Sequence, residues 1–217
     1  MLQRKHFLIA GFALLVLFYL FSAQVKKGRF QQLNFDTTVR LQDKMPKRFD
    51  SYWEDITFFA EPGPSIVIAL GLTAVASYDL KKKKFRPGAV SILFLFGLVV
   101  FAEIYGKAKV ESAAPPFFML KNPTTIFPKF FVQEQYSYPS GHAARSLFFG
   151  ITTFYLAWRY TKKWQNLAVV GLIVGGCVAV ISVGKVYLGQ HWLSDIIGGY
   201  LLALACSSFL GMVLWEK

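Results

Sequence analysis

Two of the three histidines in this 217-residue chain stand where a polar turn meets an apolar run. The first closes the string Pro139-Ser140-Gly141-His142. A Pro-Ser-Gly turn at the mouth of a helix leaves the first backbone N–H groups unpaired and aimed outward, which suits an anion and phosphate above all. The same tripeptide also reads as a plain Ser N-cap with a turn glycine. The second, His191, is followed four residues on by Asp195, which on a helix puts the two on one face of its first turn. A carboxylate there can accept the Nδ1–H, fix the tautomer and leave Nε2 free as nucleophile or base. The plainer reading of that spacing is an exposed i,i+4 pair. Two histidines and one aspartate without a fourth ligand do not match zinc spacing, so no metal is expected. Lys107, Lys109 and Lys185 fall in the same polar stretches, and His6 is an ordinary N-terminal flank. Together these groups suit a phosphorylated head group.

The elements that must position them are apolar. The chain is 54% hydrophobic and 17% charged, with 22 Phe and a mean hydropathy of +0.41. A soluble domain would carry roughly a quarter charged residues, so the bilayer is the natural solvent here, and disorder or a disulfide scaffold is excluded. Cys177 and Cys206 both lie inside apolar runs.

Six stretches read as membrane helices: Phe7–Ala23, Ile56–Tyr78, Pro87–Tyr105, Ser140–Trp158, Trp164–Leu188 and Leu193–Trp215. A span needs roughly 20 mostly apolar residues. The first exceeds the roughly 7–15 apolar residues of a signal peptide and is kept as a helix. Glu61, Glu103 and Arg145 fall within spans, where an ionisable group must face a polar cavity or snorkel to the interface.

The net charge of +12 is read as topology and head-group signals rather than nucleic-acid binding. Basic clusters at Arg4-Lys5, at Lys81-Lys82-Lys83-Lys84 with Arg86, and at Arg159 with Lys162-Lys163 share one face of a six-helix arrangement. The positive-inside rule makes that face cytoplasmic, with both termini. The histidines then lie on the extracytoplasmic side. The first loop is charged with both signs, and Leu33 and Val39 suggest a helix lying on the outer surface. The expectation is an all-α, six-transmembrane-helix bundle forming a single domain over residues 1–217.

These residues resemble the type-2 phosphatidic acid phosphatase superfamily, the integral-membrane lipid phosphate phosphatases. Its pattern runs K-x6-R-P, P-S-G-H and S-R-x5-H-x3-D. The second motif is complete at 139–142. The third agrees in spacing, in His191 and Asp195, and in the string Val186-Tyr187-Leu188-Gly189; the first agrees in Lys107 and Pro115.

The resemblance implies a cell-membrane enzyme that removes phosphate from a lipid without metal or other cofactor. The lipid would be of the phosphatidic acid, phosphatidylglycerophosphate or polyprenyl (di)phosphate class. The resemblance makes His191 the nucleophile of a phosphohistidine intermediate, Asp195 its orienter and His142 the acid for the leaving alkoxide. Lys107, Ser140 and the Gly141 N–H would hold phosphate oxygens, and Lys185 would stand in the place of the third motif's arginine. No obligate protein partner is implied.

Three positions depart: Ala114 replaces the first motif's arginine, Lys185 the third motif's, and Gly184 its serine. A guanidinium binds phosphate as a planar fork, whereas lysine is a point charge. Losing one preorganised donor can cost roughly 3–4 kcal/mol of transition-state stabilisation. Two alternatives follow: a weakened or inactive member that binds lipid head groups, or a lipid-to-lipid phosphotransferase. Arg145, one turn beyond His142, is a candidate replacement for the missing guanidinium, with Lys109 behind it. The competing reading pairs Arg145 with Glu103 as structural glue.

Overall fold

The computed structural model describes residues 4–79, 83–121 and 135–214. Lys81 and Lys82 of the second basic cluster, and Trp215 at the end of the sixth expected span, lie outside them. Among the described residues the α-helices are α1 (Arg4–Lys26), α2 (Gln31–Lys44), α3 (Asp50–Thr57), α4 (Pro62–Ser77), α5 (Ser91–Val110), α6 (Gly141–Tyr160), α7 (Trp164–Tyr187) and α8 (Leu193–Leu214). A two-residue antiparallel ladder, Tyr78–Asp79 on Lys84–Phe85, lies between α4 and α5.

Four segments are long and apolar enough to cross a membrane: Arg4–Lys26, Pro87–Val110, Trp164–Tyr187 and Leu193–Leu214. The bent pair Asp50–Ala60 and Pro62–Ser77 makes a fifth if taken as one span. The stretch expected as one helix over Ile56–Tyr78 is therefore broken, with a 48° bend. Pro62 is the cause. It opens α4 at a position where a missing N–H costs nothing, and it holds Glu61 extended (φ −65°, ψ 157°).

Helix α6 is not among the four. His142, Arg145 and Ser146 in its first turns lower its hydropathy, and half of its residues face inward, Arg145 and Ser146 included. The third helix outruns its expected end at Tyr105. With no proline before 115, α5 continues to Val110 and stops at Glu111 in a left-handed conformation (φ 56°). Lys107 and Lys109 thus lie on a helix rather than in a loop. A helix is present in the first loop as expected, and Leu33 and Phe35 of α2 are exposed while its Asn34 and Thr38 are buried.

Helix α8 is central, packed by α1, α5 and α6. The core gathers Ile92, Phe96 and Val99 of α5, Phe148 and Phe149 of α6, and Leu202, Cys206 and Leu210 of α8. Large apolar side chains such as Phe12, Tyr19, Phe94, Phe101, Leu172 and Ile173 point outward, as lipid contact requires. At one end Arg86 pairs with Asp79 at 2.7 Å, and Arg159 approaches the same carboxylate at 3.6 Å. Members of two basic clusters thus meet at the C-terminal end of α6. Its N-terminal end, with His142, lies about 30 Å away at 1.5 Å per residue.

Close approach of α6 and α8 depends on Gly199, where a Cβ would stand 2.5 Å from the Ser140 carbonyl oxygen and 3.1 Å from the Ala144 nitrogen. Backbone cannot yield cheaply. Gly199→Ala is expected to destabilise the protein by about 1–3 kcal/mol and to lower its melting temperature in detergent. Gly175→Ala, with nothing within 4 Å of the new Cβ, should leave it level or slightly raise it.

Candidate active site

The two histidines meet. His142, on the first turn of α6, and His191, just before α8, have ring centroids 5.7 Å apart at an interplanar angle of 60°. The Ser140 N–H donates to the Asp195 carbonyl at 3.0 Å, which ties the Pro-Ser-Gly turn to the start of α8. The Ser140 side chain accepts from the Ala143 N–H at 3.4 Å. It is the N-cap of α6 and fully buried, the plainer of its two readings.

His191 lies ahead of α8 and not in its first turn, because the helix begins at Leu193. Asp195 Oδ2 accepts the Trp192 N–H at 2.8 Å and stands 3.6 Å from His191 Nδ1, beyond hydrogen-bond range. His191 Nδ1 and Asp195 Oδ1 are both buried without a hydrogen-bond partner among the described residues. Unsatisfied polar atoms in a buried site are costly. Both side chains are well shielded, Asp195 completely.

Lys107, Arg145 and Lys185 are each engaged by a carboxylate. Lys107 Nζ donates to Glu103 Oε1 at 3.1 Å, one helical turn along α5. Arg145 NH1 donates to Glu103 Oε2, and its Nε donates to the Ala60 carbonyl at 2.9 Å. Arg145 is 3% exposed, so the pairing with Glu103 expected of structural glue is the one present. Glu103 also lies against Gly141, where any Cβ would overlap its carboxylate. The next residue after Ala60, Glu61, meets His142 Nε2 at 2.9 Å. The same oxygen, Oε1, is 3.5 Å from Lys185 Nζ. Lys185 further donates to Gln190 Oε1 at 2.6 Å. Its carbonyl accepts the His191 N–H at 3.2 Å.

The fold therefore brings His142, His191, Asp195, Lys185 and Arg145 into one cluster of contacts, with Lys107 and Gly141 joined to it through Glu103. Gln190 was not legible as a site residue, since a lone glutamine between a glycine and a histidine carries no pattern. Two of the departures have local reasons. A Cβ on Gly184 would stand 2.8 Å from the Trp53 ring and 3.2 Å from Thr57, so the glycine admits α3 against α7. Ala114 lines a cavity of about 490 Å³ with Lys26, Asn34, Ser112 and Trp192, and neither histidine borders it.

A family model of the PAP2 superfamily matches residues 88–216. The chain belongs to the PAP2 superfamily. Among curated proteins it is similar to an undecaprenyl-diphosphatase of Sulfolobus acidocaldarius, 31% identical over 121 residues, 55% of this chain and 52% of the relative. It is also similar to phosphatidylglycerophosphatase B of Bacillus subtilis, 26% identical over 73 residues, 33% of this chain and 36% of the relative. Sphingosine-1-phosphate phosphatase 1 of Mus musculus is 30% identical over 84 residues, 38% of this chain and 19% of that protein. The chain thus spans between about a fifth and a half of these relatives' lengths. In fold it matches the crystal structure of a transmembrane PAP2-type phosphatidylglycerolphosphate phosphatase from Bacillus subtilis. The TM-score is 0.74 and the identity 17%, over 93% of this chain and 94% of that one. The lipid-phosphatase-like membrane fold expected from the motifs is the one present.

A buried ion pair tested one side at a time leaves an uncompensated charge. Arg145→Ala is expected to cost about 3–5 kcal/mol of stability, seen as a large fall in melting temperature. Arg145→Met combined with Glu103→Leu should recover most of that loss. Additive effects of the two changes would show that the pair is not coupled.

Proposed function

We propose that the protein is a metal-independent lipid phosphate phosphatase of the cell membrane. It would act through a phosphohistidine at a site on the extracytoplasmic side of a single-domain, six-span bundle with cytoplasmic termini. In this reading α6, too polar to be recognised by hydropathy, is a span shielded by its neighbours, and the bent α3–α4 pair is another. The observation that carries the reading is the meeting of His142 and His191, 5.7 Å apart, beside Asp195 in a PAP2 chain. Names of the similar proteins support substrates of the phosphatidylglycerophosphate, polyprenyl diphosphate or related lipid phosphate class.

His191 Nε2 attacks phosphorus and the bond to the lipid oxygen breaks, while His142 delivers the proton that the leaving alkoxide needs. Water then attacks the phosphohistidine, giving its proton to His142, and inorganic phosphate leaves. Asp195 would orient the ring through Nδ1, closing the 3.6 Å gap between them. Lys107, Lys185, the Gly141 N–H and Ser140 would hold the phosphate oxygens, and Arg145 would join them if Glu103 released it. Preorganised donors of this kind supply most of the stabilisation in phosphoryl transfer.

Purified protein in detergent should release phosphate from lipid phosphates in the presence of EDTA, and His191→Ala should abolish the release. Asp195→Asn is expected to keep the fold and lower kcat by about two to four orders of magnitude, because the wrong tautomer is favoured. Loss of turnover on chelation would refute the metal-free mechanism. Phosphate release equal in wild type and His191→Ala would refute the phosphohistidine. A protein that binds these lipids without releasing phosphate or passing it to another lipid would be a head-group binder.

A further inference from the structure

We propose that Asn34 on α2 is a positioning residue for the reaction. By clamping Ser194 it fixes the start of α8, and with it Asp195 and His191. The inference rests on the phosphatase reading above. Residues 88–216 carry the family match, so Asn34 lies outside the part of the chain that the match describes.

An amphipathic helix ordinarily turns its apolar side chains toward the protein. On α2 Leu33 and Phe35 are exposed, whereas Asn34 is 6% exposed and Thr38 wholly buried. A buried amide is costly unless its donor and its acceptor are both met. Asn34 meets both on a single residue. Its Oδ1 accepts the Ser194 N–H at 3.0 Å, and its Nδ2 donates to Ser194 Oγ at 2.8 Å. Two bonds from one planar amide hold Ser194 against both translation and rotation. Leucine at this position would serve packing alone, and a fully satisfied buried amide specifies one arrangement instead.

The clamp falls where the histidine loop enters α8. Residues 188–192 join α7 to α8 and carry Gln190 and His191. The first N–H groups of a helix have no partner within it. Because α8 begins at Leu193, the Ser194 N–H is one of these, and α2 supplies its acceptor. Asp195 shares the same turn. Its N–H donates to the Trp192 carbonyl at 3.0 Å, and its Oδ2 accepts the Trp192 N–H at 2.8 Å. Ser194 thus sits between the residue that follows His191 and the carboxylate that stands 3.6 Å from its ring. Helix α2 is itself held firmly. Asn34, Thr38 and Gln42 form one stripe along it, and Gln42 Nε2 donates to the Met119 carbonyl at 2.7 Å and the Tyr187 carbonyl at 2.8 Å. Tyr187 closes α7, so α2 grips the loop at both ends. Between these contacts Leu41 packs on the cluster of Ala143, Val186 and Ile196, one residue from each of α6, α7 and α8.

The test is a double-mutant cycle in kcat, with the full chain in detergent and whichever of phosphatidic acid, phosphatidylglycerophosphate or a polyprenyl diphosphate the wild type turns over. Asn34→Leu should lower kcat by about a hundredfold, the cost of displacing a reacting group by about 1 Å. In an Asp195→Asn background the same change should have far less effect, because the orienting contact it serves is already lost. A loss as large as in wild type would overturn the proposal, since a merely structural role lowers the folded fraction in both backgrounds alike. So would an Asn34→Leu protein as active as wild type. Should Asn34→Leu fail to fold, Ser194→Ala enters the same cycle. It removes one bond of the clamp and should lower kcat about fivefold, again only while Asp195 is present. No loss, or an equal loss in both backgrounds, would overturn the proposal. If wild type releases no phosphate from any of these lipids, the phosphatase reading fails by itself, and the clamp is read by ring-nitrogen NMR on histidine-labelled protein. The chain has three histidines, and the His191 signals are those missing in His191→Ala. The clamp variant should move them in the direction that Asp195→Asn moves them. Signals that stay in place, or move otherwise, would overturn the proposal.

Discussion

Arg145 carries its charge almost out of reach of water, and much of the bundle around the site is arranged to make that tolerable. A buried guanidinium must find both an opposite charge and further acceptors. It finds the first in Glu103 on α5 and the second in the Ala60 carbonyl, exposed where Pro62 interrupts the helix. Three elements are held together by one side chain. Glu103 in turn takes Lys107 and presses on Gly141, so the same pair sets the distance between α5 and the N-terminus of α6.

That arrangement explains why the site departs from its family in a coordinated way. The first motif's guanidinium is missing at position 114, which lines a separate cavity, and another guanidinium appears on α6 with its own counter-ion. The serine at 184 is replaced by glycine where Trp53 packs. Lys185 replaces a planar fork with a point charge that rests on Glu61 and Gln190. The cations of the site are retained in number but each is paired, so its electrostatics differ from those of a plain anion cradle even though both histidines stay together.

Much of the fold is legible in the residues because bilayer insertion is governed by composition. Apolar runs such as Trp164–Leu188 predict helices, and α7 and α8 begin at the expected residues. The errors have definite causes. Pro62 splits a stretch with apolar runs on both sides of it, and α5 continues past Tyr105 because lysines near a helix C-terminus are compatible with helix. Helix α6 defeats a hydropathy test, since its polar first turns are satisfied by neighbours and not by its own sequence.

At the site, the strings Pro139-Ser140-Gly141-His142 and His191-x3-Asp195 were enough to single out the histidines that meet in the fold, because such strings depend on residue type and short spacing. Ser140 as N-cap is equally local. The partners of the charged groups were not legible. Glu61 lies 81 residues from His142, and Glu103 lies 42 from Arg145. No periodicity links positions so far apart. Residue types and short spacings alone specify a membrane helical protein with a histidine pair and a surplus of basic residues. Neutralisation of the site's cations is instead a property of the packed fold, because a charge in a low-dielectric interior takes whichever counter-ion packing brings within reach.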